Sequence, residues 1–113
     1  MPHSTPTEIV QAQLDAYNAQ DLDRFCTFYA PDAVIGDLNG AVTQNGLAEI
    51  RARYEKAWAQ FPQNRAVALS RIVVGSTVVD HERVTRAPGG EEFEVAAIYT
   101  IRDGRIARVD FAR

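Results

Sequence analysis

The chain contains 113 residues, with 46% hydrophobic and 24% charged residues and a formal net charge of -3. These values are typical of one globular domain whose core can hold a small cavity, and the lack of a basic stripe argues against nucleic acid as a partner. The single cysteine, Cys26, excludes an internal disulfide and is expected to be a buried small hydrophobe.

The first residues, 1–4, are predicted to form a loose tail, and residues 5–113 a single domain. The segment MPHSTPTE has neither a positive leader nor an apolar stretch, and no run approaches the ~18 apolar residues that a membrane span requires. We therefore expect a soluble cytoplasmic protein with no membrane partner.

The first helix is predicted to begin at the segment Thr5-Pro6-Thr7-Glu8. This segment combines a capping threonine, a proline at the first helical position and a glutamate three residues after the cap. Apolar residues then recur at helical spacing as far as Tyr17, and Asn18 to Gln20 interrupt the pattern.

A second helix and a short strand are predicted next. Asp21 can cap a helix that extends to Tyr29 and stops at Pro31, because the residue before a proline is disfavoured in helical dihedrals. Ala33 to Asp37 is predicted to be a short strand, and Leu38 to Asn45 a loop.

The third predicted helix ends at Pro62. Its apolar residues follow helical spacing. They are Leu47, Ile50, Tyr54, Ala57, Trp58 and Phe61. Arg51, Arg53 and Lys56 are expected to form a solvated face, with Glu49 and Arg53 spaced for a helical ion pair.

The second half of the chain predicts a meander of four strands, since apolar and polar residues alternate there. The strands are Ala66 to Val74, Thr77 to Arg86, Glu91 to Arg102 and Arg105 to Phe111. Asp103-Gly104 between the last two strands is a strong hairpin signal.

The predicted fold class is therefore α+β, with three N-terminal helices packed on one face of an antiparallel sheet. The strand from Glu91 to Arg102 has one fully apolar face, formed by alternate residues from Phe93 to Ile101. Ala96 and Ile98 make the middle of its other face apolar as well. We therefore expect a homodimer through the outer surface of the sheet.

Three segments of the chain are characteristic: NAQDLDRFCTFYAPDAVIGDLNG, LAEIRARYEKAW and YTIRDGRIARVDF. Together they resemble the nuclear transport factor 2-like superfamily and, within it, the SnoaL-like and ketosteroid isomerase branch. The resemblance spans about Ile9 to Phe111. It implies a cystatin-like α+β roll, in which a curved sheet wraps around three helices to form a cone with an apolar pocket.

The resemblance also implies site residues. Asp37 corresponds to the base aspartate of ketosteroid isomerases, and a carboxylate in a poorly hydrated pocket can act as a general base. A solvated aspartate that caps the following loop is the alternative. The two oxyanion donors of those enzymes fall on Gln13 and Ala97, so both donors are missing. Tyr54 matches a supporting tyrosine, and either Tyr54 or Tyr17 could donate instead.

The strand around His81 carries the remaining polar candidates. Asp80 and Glu82 alternate with His81 and Arg83, so one pair faces inward and the other outward. The resemblance favours an inward His81 that shares proton transfer with Asp37, as expected for SnoaL-like polyketide cyclases. Because adjacent strand residues point to opposite faces, Asp80, His81 and Glu82 cannot converge on a metal ion, and none is expected.

The resemblance thus implies a cofactor-free enzyme that transfers a proton, as an isomerase or cyclase, on a small apolar substrate. Its expected catalytic residues are Asp37, His81, Tyr17 and Tyr54, and its expected substrate-binding residues are Gln13, Phe28, Trp58, Ala97 and Tyr99. A hydrolase with an Asp-Arg-Asp relay is a second possibility, which Arg83 and Asp37 half supply. The alternative from another class is a non-catalytic ligand-binding or dimeric accessory module.

Overall fold

The computed structural model describes residues 4–113, which form three helices and one six-stranded sheet. The helices are α1 (Pro6–Ala19), α2 (Leu22–Thr27) and α3 (Leu47–Gln60). The strands are β1 (Tyr29–Asp37), β2 (Val42–Asn45), β3 (Arg65–Val74), β4 (Thr77–Thr85), β5 (Glu92–Arg102) and β6 (Arg105–Ala112). Apart from Ser4, the predicted tail over residues 1–4 lies outside the described residues. Among residues 4–113, no helix has the length and apolar character needed to cross a membrane.

The start of α1 confirms the capping signal. The Thr5 hydroxyl accepts a hydrogen bond from the backbone of Glu8, and the Glu8 carboxylate accepts one from the backbone of Thr5. The helix ends at Ala19, and the capping residue Gln20 has a left-handed backbone with φ of 54°. The Gln20 amide donates to the carbonyl of Phe61 at 3.0 Å, so the end of α1 is joined to the end of α3.

The predicted boundary between α2 and β1 is wrong. α2 ends at Thr27, and Tyr29 already pairs with Ile106 of β6. Tyr29 is buried against Phe25, with ring centroids 5.0 Å apart. Pro31 lies within β1, where the pairing with β6 is irregular. A proline is tolerated at such a bulge because no ladder hydrogen bond needs its missing N–H group.

The sheet has the strand order β2-β1-β6-β5-β4-β3 and is mixed. β1 and β6 run parallel, whereas the other neighbours are antiparallel, so the prediction of an antiparallel sheet is wrong at this pair. A parallel pair needs a long connection, and here α3 and the meander lie between the two strands. The predicted loop over residues 38–45 contains β2, a short and mostly exposed edge strand.

The inward face of the sheet and the three helices enclose the core. Inward residues of β4 and β5 are buried, and they are Val78, Asp80, Glu82, Val84, Val95, Ala97, Tyr99 and Ile101. Aromatic side chains of the helices meet this face, and Phe25 lies 4.7 Å from Tyr54 and 5.5 Å from Trp58 between ring centroids. This packing of helices on one sheet face is what α+β domains require.

Candidate active site

A cavity of about 820 Å³ lies between the helices and the inward face of the sheet. Its lining residues come from α1, α3, the strands β1, β2, β4, β5 and β6, and the adjoining loops. Small-molecule sites commonly have volumes of roughly 300–1,000 Å³. The cavity is therefore large enough for a ligand of one to three rings.

Glu82 is the buried acid of this cavity. It lies on β4, lines the cavity and is 5% exposed. Burial, together with the negative charge of Asp80, raises the pKa of Glu82 to about 7. The Tyr99 hydroxyl donates to Glu82 Oε2 at 3.3 Å and acts against this rise in pKa. At neutral pH the carboxyl group can therefore both accept and donate a proton.

A chain of hydrogen bonds connects Glu82 to the first helix. Gln13, which is 3% exposed, donates from Nε2 to the Tyr99 hydroxyl at 3.2 Å. Its Oε1 accepts from the Tyr29 hydroxyl at 3.1 Å. Burial raises the pKa of both Tyr29 and Tyr99 well above the ordinary value, so both phenols stay neutral and remain donors.

An ion pair between Arg71 and the buried Asp80 lies on the same face of the sheet as Glu82. Asp80 is 0% exposed, and Arg71 binds it through two hydrogen bonds, Nε to Oδ1 at 2.6 Å and Nη2 to Oδ2 at 2.9 Å. Arg71 also donates to Gln11 of α1 at 3.0 Å. The bidentate geometry compensates for the burial of Asp80, whose charge disfavours ionisation of Glu82.

Tyr17 and Tyr54, two predicted catalytic residues, both line the cavity, with ring centroids 5.9 Å apart. Burial raises the pKa of Tyr54 to about 12 and also raises the pKa of Tyr17. The Tyr17 hydroxyl accepts a hydrogen bond from Asn64, and Asn64 in turn accepts from Arg86 at 3.0 Å. Both phenols are therefore neutral groups that can donate to an oxygen in the cavity.

Asp37 lies at the end of β1, where sequence analysis placed it, but its side chain is exposed. It lines the mouth of the cavity and is not held in a poorly hydrated pocket. The backbone of Asp37 donates to Ala41 and accepts from Gly40, as expected for a residue that closes a tight turn. The structure thus favours the solvated alternative for this carboxylate.

The prediction of an inward His81 is wrong. His81 is exposed on the outer face of β4, where its Nε2 lies 2.5 Å from Glu94 Oε1. Arg83 lies on the same outer face and pairs with Glu92 at 3.5 Å, so it cannot complete a relay with Asp37. The inward positions belong to Asp80 and Glu82, which find Arg71 and Tyr99 as partners.

The predicted substrate-binding residues divide into two groups. Gln13, Trp58 and Tyr99 line the cavity. Phe28 and Ala97 do not line it: Ala97 is buried in the hydrophobic core, and Phe28 is half-buried against that core.

Arg53, predicted to lie on a solvated face, lines the cavity. The predicted ion pair with Glu49 is wrong, because the Glu49 carboxylate accepts from the backbone of Asn45. Arg53 instead donates from Nη1 to Gln44 Oε1 at 2.8 Å and lies over the Tyr54 ring, 5.3 Å from its centroid. Arg53 precedes Tyr54 by one residue and Ala57 by four, so it lies beside the apolar side of the helix. This position in the sequence could have indicated that Arg53 reaches the cavity.

The chain matches one family model and is similar to several solved structures that share its fold. A family model described as a SnoaL-like domain matches residues 10–109. An uncharacterised cystatin-fold protein from Novosphingobium aromaticivorans is 34% identical, with a TM-score of 0.92 over 97% of this chain and 99% of that chain. A candidate polyketide cyclase from Sinorhizobium meliloti is 29% identical, with a TM-score of 0.80 over 96% of this chain and 100% of that chain.

A more distant structure shares the fold alone. A candidate ketosteroid isomerase from Kribbella flavida is 15% identical, with a TM-score of 0.80 over 94% of this chain and 75% of that chain. No curated protein sequence matches this chain.

Proposed function

The chain belongs to the SnoaL-like domain family, and from this membership and the geometry of the cavity we propose that it is an enzyme that transfers a proton on a small apolar substrate. The reaction is of the isomerase or cyclase type. The observation that carries the proposal is Glu82, a buried cavity carboxyl whose pKa is raised to about 7.

Glu82 takes the role that the sequence suggested for a pocket aspartate. In its ionised form it accepts a proton from a carbon next to a carbonyl group, and in its protonated form it returns the proton to another atom of the same substrate. Because its pKa lies close to neutral pH, the ionised and the protonated form are both well populated there. Asp37, which is exposed at the mouth of the cavity, takes no part in this proton transfer, and a separate variant tests this.

Neutral phenols supply the stabilisation of developing oxygen charge. Tyr54 lines the same cavity as Glu82, and its pKa of about 12 keeps its proton in place at neutral pH. A positioned donor of this kind stabilises an enolate oxygen more than the ketone from which it forms. Tyr54 therefore replaces the oxyanion donors that are missing at Gln13 and Ala97.

The proposal is tested by deuterium exchange. 2-Tetralone, a small bicyclic ketone with acidic protons next to its carbonyl, is incubated with the protein in heavy water and followed by proton NMR. We expect exchange above the buffer rate for the wild type and a loss of about 100-fold or more in Glu82→Gln, the usual contribution of a general base. Asp37→Asn is expected to keep the wild-type rate.

Glu94→Gln is the matched control, because Glu94 lies on the outer face of the sheet beside His81. It removes the same charge without touching the cavity and should exchange at the wild-type rate. Undiminished exchange in Glu82→Gln would remove Glu82 from the mechanism.

Ligand binding without catalysis is the second candidate function. It is favoured by Ala97, whose methyl group stands where the resemblance places an oxyanion donor. A wild-type protein that binds 2-tetralone and 2-indanone but exchanges the protons of neither would support this alternative.

We also propose a homodimer formed through the outer face of the sheet. The support is a row of exposed apolar side chains on β3, with Val67 53%, Ile72 61% and Val74 71% exposed. Exposed apolar patches of this kind are typical of protein interfaces.

A further inference from the structure

We propose that the mouth of the cavity binds a carboxylate group, so that the substrate is a small organic acid with a flat apolar body. This proposal rests on the proposed function and deepens it, because it names the substrate class of the same cavity. Its carrying observation is a set of three arginines around the cavity, Arg53, Arg86 and Arg113.

These arginines lack close carboxylate partners. Within residues 4–113, no carboxylate lies within 4.0 Å of a side-chain nitrogen of Arg53 or Arg113. Arg86 has only the exposed Glu91, at 4.0 Å. Arg71, which is half-buried, differs from these three arginines because it binds the carboxylate of Asp80 through two short hydrogen bonds.

The cavity is thus cationic in a chain that is anionic. The whole sequence has a formal net charge of -3. Among the residues that line the cavity, three arginines stand against two acids, Asp37 and the partly protonated Glu82. A cleft lined by one sign of charge raises the local concentration of ligands of the opposite sign.

Arg53 is held in place by neutral contacts. Its guanidinium lies 5.3 Å from the Tyr54 ring centroid and 5.4 Å from that of Phe111, and Nη1 donates to Gln44 at 2.8 Å. A guanidinium has five N–H donors in a rigid fork, and one hydrogen bond leaves the others free. Stacking on aromatic faces leaves the edge of the fork available for a carboxylate.

Arg86 also lines the cavity and is held by the same kinds of contact. It lies 4.8 Å from the ring centroids of both Phe61 and Phe93, and Nη1 donates to Asn64 at 3.0 Å. Arg53 and Arg86 also both act to lower the pKa of Tyr17, so their charges reach the same phenol. Two pre-positioned guanidinium groups that line one cavity offer charged N–H donors to a carboxylate.

The apolar body of the ligand is indicated by the rest of the lining. Tyr54, Trp58, Phe93 and Phe111 provide aromatic surfaces. Trp58 is 6% exposed, and its Nε1–H group has no hydrogen-bond partner among the described residues. A buried donor of this kind is satisfied when a ligand brings an acceptor oxygen, such as a ketone.

The test compares two probes of the same shape. The dissociation constants of 2-naphthoate and of neutral 2-naphthamide are measured by isothermal titration calorimetry at pH 7 and 0.15 M salt. We expect the wild type to bind the carboxylate about tenfold or more tightly than the amide, as for a charge-assisted hydrogen bond. This comparison needs no variant, so it does not depend on how a substitution affects folding.

Variants locate the site. The preference should fall in Arg53→Gln and in Arg86→Gln and fall further in the double variant, in which Arg113 alone of the three remains. Arg105→Gln removes an exposed arginine that does not line the cavity and should keep the wild-type preference. Equal binding of the two probes, no binding of naphthoate at millimolar concentration, or a preference undiminished by the double substitution would overturn the proposal.

Failure of this proposal is distinguishable from failure of the proposed function. Glu82→Gln should lose deuterium exchange while it keeps the preference for naphthoate. Exchange by the wild type without that preference would overturn the carboxylate site alone. A clear preference without exchange would leave the carboxylate site standing and overturn the catalytic role.

Discussion

The Tyr99 hydroxyl donates a hydrogen bond to the Glu82 carboxyl at 3.3 Å, from β5 to the neighbouring strand β4. Tyr99 pairs with Val78, and Glu82 pairs with Val95. Because Val78 and Glu82 are four residues apart on one strand, they point to the same face of the sheet, and Tyr99 therefore lies on the face that carries Glu82. Tyr99 also accepts from Gln13, which connects this contact to α1. Through this bond a neutral phenol stabilises the charged form of an otherwise poorly solvated acid.

Removal of this hydrogen bond should raise the pKa of Glu82. Tyr99→Phe keeps the ring in the core but loses the donor that favours the ionised carboxylate, so the pKa should move above its value of about 7. The measurement is a carbon-13 NMR titration of the glutamate carboxyl groups. Tyr54→Phe removes another cavity phenol that makes no hydrogen bond to Glu82 and should leave the titration where it was. An unshifted Glu82 in Tyr99→Phe would contradict the assignment of this contact.

Asp80→Asn should lower the pKa of Glu82. The negative charge of Asp80 is one of the causes that raise this pKa, and asparagine removes the charge at nearly constant size. The same NMR titration checks the direction. A rise in the pKa, or no change, would contradict a contribution from the charge of Asp80.

Arg71→Gln should raise the pKa of Glu82 and should also destabilise the fold. Arg71 acts to lower the pKa of Glu82, so its loss raises that pKa. It also leaves Asp80 buried and unpaired, which typically costs about 3–5 kcal/mol in the free energy of unfolding. Urea denaturation measures this cost, and the double variant Arg71→Gln with Asp80→Asn should recover part of it. A single variant as stable as the wild type would contradict the role of this ion pair.

Glu82→Gln should change how stability depends on pH. The pKa of Glu82 is about 7 in the folded chain against an ordinary value of 4.5, so folding favours the protonated form. This contribution to the free energy of unfolding is fully present below pH 4.5 and is lost as the pH rises to about 7. The total loss is about 3 kcal/mol. Because glutamine cannot ionise, the variant gains stability relative to the wild type across this window.

Urea denaturation of both proteins at several pH values between 4 and 8 measures the difference. Glu55→Gln, at an exposed position of α3, should follow the wild-type curve. A constant difference between Glu82→Gln and the wild type would mean that the folded chain does not perturb Glu82.

Ile72→Lys should convert the proposed dimer to a monomer. Ile72 is 61% exposed on β3, and a lysine there would place a charge within the apolar surface. Light scattering after size-exclusion chromatography at micromolar concentration measures the mass. Val42→Lys is the matched control, since Val42 is 48% exposed on β2, at the opposite edge of the sheet. A monomeric wild type would refute the dimer.

Local signals were sufficient for most of the elements. The reciprocal hydrogen bonds of Thr5 and Glu8 act within one turn of helix, so the sequence around them specifies the start of α1. The hairpin at Asp103-Gly104 is confirmed, with φ of 53° and 75° at the two residues, because both tolerate a left-handed backbone.

Other elements depended on partners far along the chain. Tyr29 continues the apolar spacing of α2, yet it leaves the helix because it pairs with Ile106 and packs on Phe25. The parallel pairing of β1 with β6 joins residues more than seventy positions apart, as in the pair of Ile35 with Val109. No local pattern carries that information.

β4 most clearly separates what the local sequence determines about the site from what the tertiary structure determines. The alternation of residues 80–83 determined by itself that two polar side chains would face the helices and two would face outward, because the strand period is two. Only the tertiary structure decided which pair is buried. Arg71 and Tyr99, from the two flanking strands, satisfy Asp80 and Glu82 inside, whereas His81 finds Glu94 on the solvated face. A buried charge is tolerated only where folding brings it a partner, and that partner comes from elsewhere in the chain.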